Sequence, residues 1–407
     1  MRSRFLADQH GGVAPIFALG LIPMIGLAGA AIDYSRANVA RTALQATLDA
    51  TTLMIAKDAQ LIPPNQVAAR ATELFNASFG RDDVQSLQVN ATINTGTGGT
   101  TVTATAGGSV PTTFMQVLGR TAMDIGARAS VVTANDGLGC VLSLSPHASG
   151  AATAQGTTSV KLNGCSLYDN SDDASALTVG GSATVSADFV GVVGGIGSST
   201  GITTVNGLRT RISPVADPYA DVPMPSYSGC DQRNFNAKNT VTINPGVYCG
   251  GMGVNANAVL TLNPGMYILD GGGLTINGGA TVNGTGVTLV FTSSSGRDWA
   301  SVTINGNANV NLTPMTYGPT RGIVIFADRN TPQGTSFKFN GGANQYFAGA
   351  IYVPTGAINF AGGADTATTC TQVIGDTVTF VGNSNLAIDC SRYNTRPFSS
   401  KTMRVAS

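Results

Sequence analysis

The chain has 407 residues, room for two or three domains, yet only 11% are charged where an ordinary soluble domain has about 25%. With 22 basic and 22 acidic residues the formal net charge is zero, which excludes the long-range field that draws proteins onto nucleic acid. Glu73 is the only glutamate, and His10 and His147 are the only histidines, so composition points to β structure and away from histidine-dependent catalysis or metal binding.

In chain order, a flank of residues 1–12 carrying Arg2, Arg4 and Asp8 leads into an uncharged run that ends at Asp33. Residues 13–32 are long enough as a helix, at about 1.5 Å per residue, to cross a hydrocarbon layer of roughly 30 Å. The basic flank predicts a cytoplasmic N-terminus, with everything after Asp33 on the far side of the membrane. Ala28-Gly29-Ala30 offers a small-residue cleavage site. The run is longer than the 7 to 15 residues or so of a signal core and contains Pro15 and Pro23, so an uncleaved single-pass anchor is the expectation.

From Asp33 to Ala59 there is no Gly or Pro, and Ala37, Ala40, Leu44, Leu48, Thr51 and Ile55 recur at steps of three and four. That pattern predicts an amphipathic stalk helix over 33–59. Pro63-Pro64 ends it; a short helix "QVAARATELFNASF" and the alternating segments "VQSLQVNATIN", "TTVTATAG" and "MDIGARASVVTA" then predict a small α+β module over 60–134.

The segment "HGGVAPIFALGLIPMIGLAGAAIDYSRANVARTALQATLDATTLMIAKDA" resembles the N-terminal region of TadG-like proteins of tight-adherence (Flp/Tad) pilus assembly systems. The likeness lies in the Gly11-Gly12 entry, the Val-Ala-x-Ile-Phe-Ala start, the Asp33-Tyr34 exit and the "LQATLDATTL" helix. "VPTTFMQVLGRTAMDIGARASV" is similar to the way such domains close. The resemblance implies a bacterial inner-membrane protein with its later domains periplasmic or at the cell surface. It also implies pilin or other pilus-assembly proteins as partners. Residues 13–17 lack the glutamate that follows the processing glycine in cleaved pilin-like relatives, and "DNSDD" departs from the Asp-x-Ser-x-Ser metal site that some relatives carry.

Beyond residue 135 the sequence repeats itself. "VGGSATV", "VNANAVL", "INGGATV", "INGNANV", "FNGGANQ", "FAGGAD" and "FVGNSNL" share an apolar residue, a Gly or Asn turn and a second apolar position, and "NPGVY" recurs as "NPGMY". Short strands recurring with such turns predict a solenoid over 135–407, a right-handed parallel β-helix, with a β-sandwich as the alternative. This part also loosely resembles β-helical surface proteins, including the ice-binding-like group. Pro214, Pro218, Pro223 and Pro225 make residues 212–228 a segment that wraps the surface or links two halves.

Six cysteines, all in this region, form no CxxC pair. Bridges between sequence neighbours (Cys140 with Cys165, Cys230 with Cys249, Cys370 with Cys390) would each contribute about 2 to 4 kcal/mol in an oxidising compartment. Six cysteines admit fifteen pairings, and buried free thiols are the competing reading.

Catalytic motifs are weak. His147 lies among serines without a G-x-S-x-G elbow, and "GGIGSSTG" misses the dinucleotide spacing. Asp169, Asp172 and Asp173 are weak calcium candidates without an EF-hand's glycine and glutamate. A pectate-lyase-like polysaccharide site would draw on Arg297-Asp298, Arg321 and Asp328-Arg329, and ice or flat-surface binding on Thr261, Thr275, Thr281 and Thr303. The sequence favours a membrane-anchored, non-enzymatic protein that needs no cofactor and touches pilus components, envelope polysaccharide or a surface.

Overall fold

The computed structural model describes residues 13–58, 62–96, 99–341, 345–361, 364–387 and 391–406. The fold is mainly β with an N-terminal helix and a large region of parallel sheets. Two compact units divide the chain, Met1–Ala134 with Thr402–Ser407, and Asn135–Lys401.

In the first unit one helix, α1 (Val13–Asp58), runs through both the expected span and the expected stalk, with Pro23 inside it. Ala37, Ala40, Leu44, Leu48 and Ile55 are buried in one core with Val67, Ala71 and Phe75 of a second helix, α2 (Val67–Ser78). Val102, Ala104 and Val131 of the sheet close that core. The stripe therefore packs inside the α+β module, because a helical apolar face and an alternating strand face bury against each other. Thr52 sits in this core with its hydroxyl bonded back to the Leu48 carbonyl at 2.6 Å, which satisfies the polar atom that burial would otherwise strand.

The sheet itself is an antiparallel meander of β1 (Gln85–Gly96), β2 (Gly99–Pro111) and β3 (Ala122–Asn135), with Lys401–Ala406 as its fourth strand. Among the described residues no helix is long and apolar enough to cross a membrane. Within 13–32, the side chains of residues 13–16, 18 and 22 lie outside the described residues, as do residues 1–12 with Gly11, Gly12 and His10. The described part of that segment is apolar and outward-facing: Phe17, Leu19, Met24, Ile25, Leu27 and Ile32 are exposed.

In the second unit the described pairings between Gly139 and Ala387 are parallel. This corrects the β-sandwich alternative, which needs antiparallel sheets. Three ladders recur. One stacks Leu208–Thr210, Val190–Val192, Ser166–Asp169 and Gly139–Ser143, then continues through residues 371–375, 349–353 and 323–327 down to Gly246–Val254 and Gln232–Ala237. A second runs beside it through Leu274–Ile276, Val302–Ile304 and Ser336–Asn340. The third runs through Val241–Ile243, Val259–Leu262, Thr281–Gly284 and Asn309–Leu312, and Ser159–Asn163 pairs with Thr184–Ala187 in a separate parallel stretch.

Stacking order departs from chain order at one place. Val141 pairs with Val373, so the first strand of the unit lies beside nearly its last. The chain builds outward from Gly139 to Thr210, crosses through the proline-rich segment, restarts at Gln232, and winds back to meet its own beginning.

The sequence repeat now has a physical meaning. Its first residue forms one interior column in register, Val254, Ile276, Ile304, Phe339, Phe360, Phe380, Ala154 and Val179, all buried. Phe339, Phe360 and Phe380 stack ring on ring at 4.9 and 5.6 Å. Three residues after that column the chain turns, and Asn257, Gly279 and Asn307 hold φ of 62°, 78° and 63° there. Only glycine and asparagine enter that left-handed region cheaply.

Candidate functional site

Three features gather chemistry. The first is a clasp in the first unit. Asp33 closes the apolar run, and its carboxylate accepts the backbone N–H groups of Thr113 at 3.0 Å and of Phe114 and Met115 at 2.8 Å each. Burial pushes this carboxyl up, but the three N–H donors and nearby Arg36 outweigh it and hold the group below its ordinary range. Arg36 also donates to the Thr113 hydroxyl at 3.1 Å. One turn earlier, a Cβ on Gly29 would stand 2.5 Å from Cβ of Phe114, so only glycine lets that ring rest on the helix. The Asp33-Tyr34 exit and the "PTTFMQ" stretch, eighty residues apart and singled out separately in the sequence, meet here.

The second feature is a polar row along the second ladder. Thr275, Thr303, Lys338, Asn359, Thr379, Thr153 and Thr178 occupy successive in-register positions, at the interstrand spacing of about 4.8 Å. Thr275 and Lys338 are exposed and the others half-buried. Of the four threonines named for surface binding, Thr275 and Thr303 pair directly on this ladder. Thr261 and Thr281 lie in separate columns of the third ladder, beside Asn283 and Asn309. Asparagine side chains join neighbouring rungs at the corners: Asn305 donates to Asn277 at 3.2 Å and Asn263 to Asn244 at 2.7 Å.

The third is a strap, which sequence reasoning placed but could not seat. Val215, Tyr219 and Val222 lie on the outward column Tyr168, Leu142, Ile374, Tyr352, Phe326, Val290, Ile268 and Val247 of the first ladder. Asn170 and the Val215 backbone exchange two hydrogen bonds of 2.8 Å. Arg329 donates to the carbonyls of Tyr219 and Val222 and stacks on the Tyr352 ring at 5.4 Å. Arg396 donates to the Pro218 carbonyl at 3.0 Å and covers the Tyr219 ring. Tyr352 donates to Asp217 at 2.8 Å; burial first, then the Asp217 charge, push its phenol above the usual range. No sequence signal marks Arg329 or Arg396 as strap clamps, since their partners, backbone carbonyls and for Arg396 also the Asp221 carboxylate, lie more than a hundred residues away.

Among the remaining candidates, Cys140–Cys165 and Cys230–Cys249 are disulfides, the second following directly on the strap. Cys370 is disulfide-bonded, and Cys390 lies outside the described residues. The carboxylates Asp169, Asp172 and Asp173 do not converge. Asp169 is buried and accepts the N–H groups of Ala152 and Ser171, Asp172 faces exposed His147 at 2.9 Å, and Asp173 caps Ser175. No cluster of three metal-ligating side chains occurs among the described residues. Asp328 accepts from Thr292 and Asn330 beside the strap clamp, whereas Asp298 lines a separate polar cleft of about 510 Å³ with Arg233, Asp270 and Ser294. Asp298 and the Asp328–Arg329 pair therefore do not share a site.

Residues 11–54 match the family model described as putative Flp pilus-assembly TadE/G-like. The match covers α1 through Met54 and none of the β-rich remainder. No curated protein and no solved structure matches the chain. The N-terminal region is thus similar to TadE/G-like proteins of Flp pilus assembly.

Proposed function

We propose that this protein is a single-pass component of Flp/Tad pilus assembly that acts by contact rather than catalysis. Residues 13–32 anchor it in the bacterial inner membrane with the N-terminus cytoplasmic, and residues 135–401 wind as a right-handed parallel β-helix in the periplasm or at the cell surface. The outward-facing Phe17, Leu19, Met24, Ile25, Leu27 and Ile32 support the anchor, since so many apolar side chains on one helix have no stable place in water. Three parallel ladders visited in a fixed order support the helix, and its handedness follows from the usual hand of parallel crossovers.

The observation that carries the contact role is the in-register polar row from Thr275 to Thr178. A row of hydroxyl and amide groups on a rigid parallel ladder presents hydrogen-bonding atoms at a fixed repeat, which suits a repetitive polar partner such as a pilin array or an envelope polysaccharide. A cell lacking the protein, complemented by the full chain or by a version without residues 135–401, tests this. Normal piliation and surface attachment in the uncomplemented cell would refute the assembly role. Full attachment with the truncated version would refute the contact role of the second unit.

The same row favours a second reading, binding of a flat ordered surface such as ice, which uses the identical geometry. Thermal hysteresis of the purified protein separates it from the pilus reading.

A further inference from the structure

We propose that the loop Thr113–Gly119 is a lipid-inserting wedge: Phe114, Val117 and Leu118 enter the bilayer beside the apolar part of α1, and the clasp on Asp33 sets their depth. The inference rests on the membrane-anchored reading. Val117 is 89% exposed and Leu118 69%, side by side on the 3-10 turn Met115–Leu118, an arrangement that water disfavours.

Depth follows from the clasp. Phe114 rests on Gly29, four residues before Asp33 and therefore about 6 Å further along the helix toward the apolar run. Interfacial apolar groups reach about 5 to 10 Å past the headgroups, so the ring sits at that level when Asp33 marks the edge of the hydrocarbon. The exposed side chains of Ile25 and Ile32, four residues before and three after Gly29 and so on its side of α1, continue the same apolar surface.

The loop is also built for a place with little water. The Thr113, Phe114 and Met115 N–H groups are held by Asp33. The next N–H groups turn inward as well: Val117 donates to the Phe114 carbonyl, Gly119 to that of Gln116 and Arg120 to that of Met115. A loop at the lipid edge must satisfy its backbone within the protein. Its cations stand on the aqueous side, where Arg36 grips Thr113 and exposed Arg120 follows the turn, placed to meet lipid phosphates. A protein partner would be given few polar contacts by these tips, whereas a bilayer needs none.

The test uses the full chain in vesicles of phosphatidylethanolamine and phosphatidylglycerol, in a Trp299→Phe background that removes the single native tryptophan. Leu118→Trp, Val117→Trp and Leu27→Trp each supply a reporter, read with lipids brominated near the headgroup or near the bilayer centre. The expected result is a blue-shifted emission for both loop reporters, quenched at least twofold more by the shallow label than by the deep one. If both loop reporters stay unquenched while Leu27→Trp is quenched, the wedge is refuted and the anchor stands. If Leu27→Trp is unquenched as well, the anchor reading fails and the wedge with it.

Discussion

Replacing Tyr219 tests whether the strap is a structural member of the second unit or merely a connection lying on it. Its ring is fully buried against Tyr352 at 5.4 Å, under the Arg396 guanidinium. Its hydroxyl donates to Oε1 of Gln372 at 3.2 Å and accepts the Arg396 N–H at 3.1 Å. Truncating a buried aromatic ring to alanine costs about 3 to 5 kcal/mol, and the two buried polar groups left without a partner add about 1 to 3 more. Tyr219→Ala is therefore expected to destabilise by about 4 to 8 kcal/mol, and Tyr219→Phe, which keeps the ring, by about 1 to 3. At roughly 2 to 4 °C per kcal/mol for a unit of this size, Tyr219→Ala should lower Tm by about 8 to 32 °C. Thermal unfolding followed by circular dichroism reads the shift, and limited proteolysis between Pro214 and Tyr227 shows whether the strap detaches first. A fall of less than about 3 °C in Tyr219→Ala would mean that the strap contributes nothing to the fold and that the reasoning is wrong.

Burial lifts the Asp169 carboxyl to about 6 from an ordinary 3.8, against the downward pull of its N–H donors. A carboxyl raised on folding contributes its full stabilisation below the unfolded value and loses it as pH climbs through about 6, here roughly 3 kcal/mol between pH 4 and 7. Asp169→Asn should be flatter across that window in urea titrations, and identical slopes would refute the assignment. Gly29→Leu should dislodge Phe114 and expose the loop to trypsin at Arg120, while Gly26→Leu, whose Cβ would meet open space, should not. Removing the Cys230–Cys249 bridge by paired serine substitution should cost about 3 kcal/mol, measured as the shift in urea midpoint. Thr275→Tyr with Thr303→Tyr should leave stability within about 1 kcal/mol yet reduce surface attachment, and unchanged attachment would remove the polar row from the contact role.

What the sequence discloses and what it hides follow one physical rule. Where a residue's partner is a near neighbour along the chain, the pattern is visible: the three-and-four stripe of Ala37 to Ile55 and the Asn or Gly turn after each interior residue are local consequences of helix and ladder geometry. Cys230 with Cys249 and Cys140 with Cys165 were legible for the same reason, being consecutive in sequence and brought onto adjacent rungs. Where the partner is a backbone group far away, nothing in the sequence marks it. Asp33 reads only as the end of an apolar run, although its work is to hold the N–H groups of residues 113–115. Arg329 reads as a surface charge or a catalytic candidate, although it clamps the strap through carbonyls that any residue could supply.

The junction of Val141 with Val373 is the extreme case. A repeat read along the chain predicts that each strand of the repeat lies beside the next, and the parallel pairings follow that order on both sides of the junction. The junction itself pairs strands from the two ends of the unit, so the strap must run past every rung to let the chain restart at the far end. A segment rich in proline fits this task because it offers few N–H donors to compete with the ladder and keeps an extended backbone. The break in the repeat at residues 212–228 is thus a consequence of closing one stack from two chain segments. Its apolar residues are fixed by the column they cover.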